Sequence, residues 1–382
     1  MTAQGCVVST TIYMVNRLLY LNGMATLGVV LYHATAWGFI ALFWWTDRYR
    51  LTSVPDFSQL GGLSYYGLRA IEQLIIFTIP AFLFVSGFFV AIATGKYQET
   101  VSWNLILKRI RRLVIPFLIW SLIIIAARML QGRQYAPLDL LEVILTGKAE
   151  PPYYYVPVLV QLYLLAPFIV PLARVRWRPV LALAGLVQLV AVGLRYTSIL
   201  NIPFPGSRVL LSLTQNWLFP AYLFFFVFGI VAGFHLPELK RWLERWQVVF
   251  PLALLVFFGL GMVEWEALLR ASGQTWIAPQ ETVIDNLYAV ACLLTFFACI
   301  RFRLPLAERI SGLGGRSFGV YLIHSPALEY GARVIYHIAP FILPFQMVFQ
   351  PVLWLIGLLT PLALMAIVNR SPVRRFYSAL FG

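Results

Sequence analysis

The stretch from Leu21 to Trp37, LNGMATLGVVLYHATAW, is apolar apart from small polar residues, yet His33 lies in its middle. An ionisable side chain inside a membrane helix is costly and usually faces the bundle interior or a wet cavity. An imidazole removed from water is neutral near pH 7 and can accept a proton. His33 is therefore a candidate general base or nucleophile. A buried histidine hydrogen-bonded to a neighbouring helix explains the same pattern.

Two polar residues precede His33 on the same helix face. Asn22 and Thr26 lie eleven and seven residues before it. At 3.6 residues per turn, both fall within about 20° of His33, and the stripe rises roughly 16 Å from Asn22 to His33. One face of this helix is therefore lipid-like, whereas the other is polar from its start to its middle.

The composition indicates which elements position this stripe. Of 382 residues, 60% are hydrophobic and 12% charged, and the mean hydropathy is +0.80, whereas soluble domains are about 45–50% apolar and about a quarter charged. The sequence therefore predicts an all-α, polytopic integral membrane helical bundle. Apolar runs near the length needed to cross a bilayer predict about ten transmembrane helices: Leu18–Trp45, Gln73–Ala93, Leu113–Leu130, Tyr153–Ala173, Pro179–Tyr196, Trp217–Phe234, Val248–Leu268, Glu281–Ile300, Phe318–His337 and Met347–Val368.

Lys and Arg concentrate in alternate loops, which predicts that both termini are cytoplasmic. We expect one domain over residues 1–382, with short cytoplasmic tails at 1–16 and 369–382, in the inner (plasma) membrane as a multi-pass protein. The net charge of +14 is concentrated beside the spans, as topology and anionic lipid require, so nucleic acid is not an expected partner. Cys6, Cys292 and Cys299 indicate neither a disulfide framework nor a metal site.

Five stretches of the sequence form an ordered set of motifs: LNGMATLGVVLYH at 21–33, AFLFVSGFF at 81–89, KRIRRLVIPFLIW at 108–120, PPYYYVPVLVQLYLLAPFI at 151–169 and SFGVYLIHSP at 317–326. Together they resemble, in order, the acyltransferase family 3 of multi-spanning membrane acyltransferases. The first is similar to the family's opening helix, in which an arginine is followed eleven residues later by a histidine; here Asn22 stands in place of that arginine. The others resemble the family's Ser-Gly motif, its basic entry to the third helix, its aromatic fourth helix and its late Ser-x-x-x-Tyr-Leu-x-His motif.

The resemblance implies transfer of an acyl group, usually acetyl, from cytoplasmic acyl-CoA to a hydroxyl of a glycan or lipid-linked sugar at the outer face. Acetyl-CoA would then be a donor substrate, with no permanently bound cofactor and no metal, and the product an O-acetylated polysaccharide of the cell envelope. Some relatives with a similar fourth helix are associated with surface-polysaccharide production, so a polysaccharide exporter or transporter is the alternative. A membrane scaffold or sensor is a third class, but it needs no histidine in mid-membrane.

Basic residues at the start of the third span are candidates for binding the donor. Arg109 and Arg112 are three residues apart, hence adjacent on a helix surface, with Lys108 beside them. Forked guanidinium groups bind phosphate oxygens well, and a nucleotide-bearing donor offers several. Asn22 is placed with these residues on the donor side because of its position in the motif. Topology anchoring explains the three basic residues equally well.

His324 is the second histidine of interest. The first and ninth predicted spans run in the same direction, and His33 and His324 differ in depth by only about a turn. The two rings are therefore expected to line one cavity. Tyr321 and Ser317, three and seven residues before His324, extend its polar strip toward the cytoplasm. A structural hydrogen bond is the other interpretation of His324.

Glu72, Asp285 and Glu329 are candidates for the carboxylate that orients the His33 ring, and nothing in the sequence chooses between them. Glu329 is also spaced to pair with Arg333.

Ser86 belongs to the Ser-Gly motif as a supporting residue but not as a nucleophile, because no base is identifiable near it and small residues allow close helix packing. Charged side chains in the middle or outer half of the spans are expected to line a vestibule suited to a sugar, namely Glu72, Arg128, Arg195, Glu264, Asp285, Glu329 and Arg333.

Overall fold

The structure, a computed structural model, describes residues 3–45, 56–95, 98–277, 281–299 and 302–382, with side chains from residue 13 onward. Helix makes up 82% of the chain, and the described residues contain no strand. The α-helices are α1 (Ala3–Phe43), α2 (Leu63–Ile75), α3 (Thr78–Thr94), α4 (Trp103–Leu130), α5 (Pro137–Thr146), α6 (Tyr155–Val175), α7 (Trp177–Ile199), α8 (Ser207–Ser212), α9 (Leu223–Phe234), α10 (Leu236–Arg245), α11 (Val249–Ser272), α12 (Val283–Ala298), α13 (Ala307–Gly314), α14 (Ser317–Ile338), α15 (Gln346–Arg370) and α16 (Tyr377–Phe381).

Seven described stretches are long and apolar enough to cross a bilayer, and an eighth is counted if the bent α9 and α10 form one span. The expected multi-pass helical membrane protein is therefore confirmed, whereas the number ten and the cytoplasmic termini stay predictions. α12 is apolar but shorter, and Ile300, where the eighth predicted span ends, lies outside the described residues. The seven stretches are Tyr13–Phe43, Leu63–Thr94, Trp103–Leu130, Pro151–Val175, Trp177–Ile199, Val249–Ser272 and Gln346–Arg370.

The second span differs from its predicted bounds. It begins at Leu63 rather than Gln73, and it is divided into α2 and α3 at Ile76 and Phe77. α2 was missed because it is amphipathic, with Arg69 and Glu72 buried on its inner face, so its hydropathy alone does not resemble that of a membrane helix.

The described residues of both expected tails are largely helical. α1 begins at Ala3 and runs without a break into the first span. At the other end, α16 packs against α4, where the indole Nε1 of Trp120 donates to the carbonyl oxygen of Leu380 over 2.9 Å and Phe381 is buried. The C-terminal residues therefore cover the middle of α4.

Glycines allow a close helix contact in the bundle core, between α3 and α9. A Cβ on Gly87 would lie 2.0 Å from the carbonyl oxygen of Phe226, and a Cβ on Gly229 would lie 2.0 Å from that of Phe84. No larger residue fits at either position, so the two backbones touch, as small residues allow in membrane helices.

Away from the contact between α3 and α9, α1 is the central helix of the bundle. α14 runs parallel to it, since Asn22 contacts Ser317 near the start of both helices, and α15 runs antiparallel, with Trp354 donating to the carbonyl oxygen of Leu27 over 3.0 Å. The polar stripe of α1 therefore faces protein rather than lipid.

Candidate active site

A polar cavity of about 220 Å³ lies beside the middle of α1, and we call it the chamber. Tyr32 and His33 form its wall on α1, and Thr78 lines it at the start of α3. The 3₁₀ turn Pro151–Tyr154, α7 and the segments that lead into α9 and α12 form the other walls. Their polar side chains are Tyr154, Arg195, Asn216, Tyr222 and Glu281.

The rings of His33 and His324 lie side by side. Their centroids are 5.2 Å apart and their planes are tilted by 49°, as the comparison of depths along α1 and α14 predicts. His33 is half-buried and lines the chamber, whereas His324 is fully buried behind it. The expectation that both rings line one cavity therefore holds for His33 and not for His324, which lies next to His33 but is not among the residues that line the chamber.

The backbone of α14 fixes the tautomer of His324. Its Nδ1 lies 2.7 Å from the carbonyl oxygen of Tyr321 and 3.2 Å from that of Val320. A nitrogen this close to a carbonyl must carry the proton, so Nε2 is left with its lone pair. Nε2 is buried and has no hydrogen-bond partner among the described residues, so it is free to accept a hydrogen bond.

Two tyrosines hold α14 in place at this depth. The Tyr321 hydroxyl donates to the carbonyl oxygen of Pro152, and the Tyr153 hydroxyl donates to that of Leu322 over 2.6 Å. The aromatic run before α6 and the Tyr-Leu-x-His segment of α14 are thus one interlocked unit that sets the height of His324.

An ion pair also stabilises the interlocked unit of the turn before α6 and the Tyr-Leu-x-His segment of α14. Arg128 Nη2 lies 2.8 Å from Glu150 Oε1, and the Ser325 hydroxyl, next to His324 in the chain, donates to Glu150 Oε2 over 2.9 Å. Burial raises the pKa of Glu150 above its ordinary value, while the charge of Arg128 and the Ser325 hydroxyl oppose that rise. This network joins α4, α14 and the turn before α6.

The chamber contains a charge pair that sequence reasoning did not assemble. Arg195 Nη1 lies 3.7 Å from Glu281 Oε2, and its guanidinium also bonds to the Tyr222 hydroxyl. Arg195 was among the charged residues expected to line a vestibule, but Glu281 was treated only as the first residue of a span. No local pattern links Arg195 to Glu281, because 86 positions separate them in the chain.

Glu72 does not contact His33. It pairs with Arg69 on α2, and the guanidinium of Arg69 lies 4.0 Å above the ring centre of Trp265. Glu72 therefore belongs to a buried charge cluster between α2 and α11, and its predicted role of orienting the ring gains no contact.

The other two candidate carboxylates also have partners elsewhere. Asp285 caps the start of α12, accepting from the backbone N–H of Thr282 over 3.1 Å and from Gln73 Nε2 over 2.9 Å. Glu329 pairs with Arg333 over 2.9 Å, as their spacing predicts. Among the described residues, the direct neighbour of the His33 ring is thus another imidazole rather than a carboxylate.

Asn22 ties α1 to the junction between α13 and α14. Its Nδ2 donates to the carbonyl oxygen of Gly314 over 2.9 Å and to the Ser317 hydroxyl over 2.7 Å. Both amide protons are therefore used within the protein. The donor-side role of Asn22 and the supporting role of Ser317 stay predictions, while their contacts are those of a structural bridge.

The basic residues of α4 lie near its start. Lys108 and Arg112 are exposed, whereas Arg109 donates to the carbonyl oxygen of Phe89 over 3.0 Å and lies 5.7 Å from the ring centre of Tyr163. Arg109 is therefore tied to the bundle, and Lys108 and Arg112 present free-standing charge at this surface.

Ser86 lies on α3 beside Tyr155, to which it is hydrogen-bonded. The next residue, Gly87, makes the close approach to α9 described above. The Ser-Gly motif thus serves the packing of α3, and its serine is not among the residues that line the chamber.

Comparison with known proteins gives one match. A family model described as an acyltransferase domain matches residues 16–370, nearly the whole chain. No curated protein and no solved structure matches the chain. The matched region contains α2 to α15, both histidines and every wall of the chamber. With its helical bundle and its membrane-length apolar helices, the chain belongs to acyltransferase family 3, a family of membrane acyltransferases.

Proposed function

We propose that the protein transfers an acyl group, acetyl in the simplest case, from cytoplasmic acyl-CoA to a hydroxyl of an extracytoplasmic glycan or lipid-linked sugar. His33 is the general base. The observation that supports this most directly is the position of His33, which lines a polar chamber in mid-bundle and has a second neutral imidazole behind it.

The reaction needs one proton acceptor and no redox partner. The acceptor hydroxyl lies in the chamber and gives its proton to His33 as its oxygen attacks the thioester carbonyl carbon. The new C–O bond forms, the C–S bond breaks with its electron pair on sulfur, and the proton passes from His33 to the thiolate. CoA leaves as the free thiol, and His33 returns to its neutral form.

His324 acts through His33 in this proposal. Its Nε2 is buried, has no hydrogen-bond partner among the described residues and belongs to the ring beside His33, so it is in position to accept the N–H of His33 during the reaction. The other nitrogen of His33 then points its lone pair into the chamber, as a base requires. A histidine thus fills the place that a carboxylate takes beside many catalytic histidines.

In this proposal the donor and the acceptor approach His33 from opposite ends of the helical bundle. The exposed charges of Lys108 and Arg112 suit the phosphates of CoA. Arg195, Glu281 and Tyr222 at the far wall of the chamber offer both donors and acceptors, which a hydroxyl-rich sugar needs. The thioester meets the hydroxyl at His33, between the two groups.

Proteoliposomes supplied with labelled acetyl-CoA and surface glycan test this function. We expect acceptor-dependent ester formation that His33→Ala lowers by about 10²-fold or more. The matched control is His337→Ala, because His337 is exposed at the end of α14 and its removal should leave the rate unchanged. Equal rates for both variants would exclude His33 as the base. Glycan movement without consumption of acetyl-CoA would identify an exporter instead.

A further inference from the structure

An apolar groove runs along the side of the bundle between α7, α9 and α12. Its upper part, about 210 Å³, is bordered by Gly185, Val192 and Phe225. Its lower part, about 440 Å³, continues past Leu181 to Trp177 and the start of α10. Phe224 and Val290 border both parts, so the two cavities adjoin at these residues, and together we call them the groove.

The groove begins where the chamber ends. On α7, Val192 of the groove is one turn from Arg195 of the chamber, and on the α9 side Phe225 is one turn from Tyr222. Glu281 of the chamber immediately precedes α12, whose first residue also borders the groove. The same three elements thus present polar side chains at one level and apolar side chains at the next.

The length of the groove fits a lipid chain. From Val192 to Trp177 the groove spans 15 residues of α7, about 22 Å at 1.5 Å per residue, or about three-quarters of the roughly 30 Å thickness of a bilayer's hydrocarbon core. The polar Gln188 in its wall is satisfied internally, with Nε2 donating to Asn286 over 2.6 Å and Oε1 accepting from the backbone N–H of Phe224 over 2.9 Å. The surface left for an occupant is apolar over most of the groove, whereas Arg178, His235 and Glu238 border its lower end.

We propose that this groove holds the hydrocarbon chain of a membrane-anchored acceptor while the hydroxyl-bearing head of the same molecule enters the chamber. The substrate class is thus an amphiphile with one long chain and a sugar-like head. This inference rests on the proposed function, because it assigns the acceptor of that site.

The groove orients the anchored acceptor rather than increasing its affinity for the protein. Lipid tails are as apolar as the groove wall, so moving a chain from bilayer to groove gains little free energy. Fixing the chain fixes the head relative to His33, and correct orientation accounts for large factors in rate. Filling the groove should therefore displace the anchored acceptor and leave general lipid contact unchanged.

A pair of glycines on α7 allows a matched test. A Cβ on Gly185 would lie 3.4 Å from Phe224 Cδ2, whereas a Cβ on Gly193 would have nothing within 4 Å among the described residues. Gly185→Leu therefore fills the groove, and Gly193→Leu makes the same change toward lipid. Val290→Phe fills the groove from α12 if Gly185→Leu does not fold.

The probes are hexadecyl glucoside and phosphatidylcholine, each with a photoreactive diazirine in mid-chain, added to the purified protein in proteoliposomes. We expect the glucoside to label peptides of α7 and α12, and this labelling to fall about tenfold in Gly185→Leu and Val290→Phe but not in Gly193→Leu. Phosphatidylcholine labelling should be weaker there and equal in all variants.

Equal labelling by the two probes, or equal loss of both, would overturn the proposal and leave the groove as a site for bulk lipid. Labelling elsewhere on the protein, or at a contact between two copies of the chain, would overturn it as well. Binding does not require the base, so His33→Ala should keep the labelling. A failed transfer assay with intact groove labelling would thus contradict the proposed function and not this inference.

Discussion

The two imidazoles beside the chamber differ in what their nitrogens can do. His324 has its proton fixed on Nδ1 by the carbonyl of Tyr321 and presents a lone pair on Nε2. His33 is half-buried and borders open volume. His33, which borders the chamber, is therefore suited to proton transfer. His324, which is fully buried, is suited to holding the His33 ring in one orientation.

Replacement of His324 separates these roles. His324→Phe keeps the ring volume but removes the acceptor for His33, so we expect kcat to fall about tenfold or more while KM for both substrates changes little. Measurement of kcat across pH 5 to 9 checks this, because a base that has lost its orienting partner titrates at a different pH in the kcat profile.

The conservative replacement His324→Gln supplies the control. Its amide oxygen can accept a hydrogen bond near the position of Nε2, so it should recover part of the lost kcat. If Phe and Gln lower kcat equally and the pH profile does not move, His324 only fills space.

At the scale of elements, the bridge from Asn22 to the start of α14 is the contact that aligns the two histidine-bearing helices. It joins α1 to Gly314 and Ser317, about three turns from the His33 and His324 pair. Removing it should loosen the register of α1 against α14 without removing a charge.

We expect Asn22→Ala to lower the free energy of unfolding by about 1 kcal/mol, since it leaves partners without their hydrogen bonds. Ser317→Ala should cost less, and the double variant should cost less than the sum of the two because they share one bond. Equilibrium unfolding in mixed detergent measures this cycle, with Asn104→Ala on the exposed face of α4 as control.

The same variants test the donor role that the motif assigns to Asn22. A structural bridge leaves KM for acyl-CoA near its original value in Asn22→Ala. A KM that rises tenfold with unchanged stability would instead place Asn22 in the donor site and contradict the structural interpretation.

Sequence reasoning succeeded where a single helix carries the signal. The stripe of Asn22, Thr26 and His33, and the similar depth of His324, within about one turn of His33, follow from 3.6 residues per turn and parallel helices. It failed where partners come from distant elements, since nothing near Glu281 indicates that it meets Arg195. It also missed α2, because an amphipathic inner helix with buried Arg69 and Glu72 has low hydropathy.

At the scale of the whole molecule, the proposed reaction needs a direction across the membrane. One end of the bundle presents the start of α1, Lys108 and Arg112, and the amphipathic α10, while the loop after α4 lies at the other. Basic residues are retained on the cytoplasmic side during insertion. The donor, which is made in the cytosol, is then at the end where cationic side chains are exposed.

Cysteine labelling with a membrane-impermeant maleimide checks this direction. In a variant whose three native cysteines are serine and whose activity is retained, Arg133→Cys in the exposed loop after α4 should label in intact cells. Lys240→Cys, exposed on α10, should label only after permeabilisation. The reverse pattern would place Lys108 and Arg112 outside, away from any cytosolic thioester. Because the two sites lie on opposite sides of the same bundle, each is the control for the other, and a reversal would contradict the direction of transfer while leaving the helical fold unaffected.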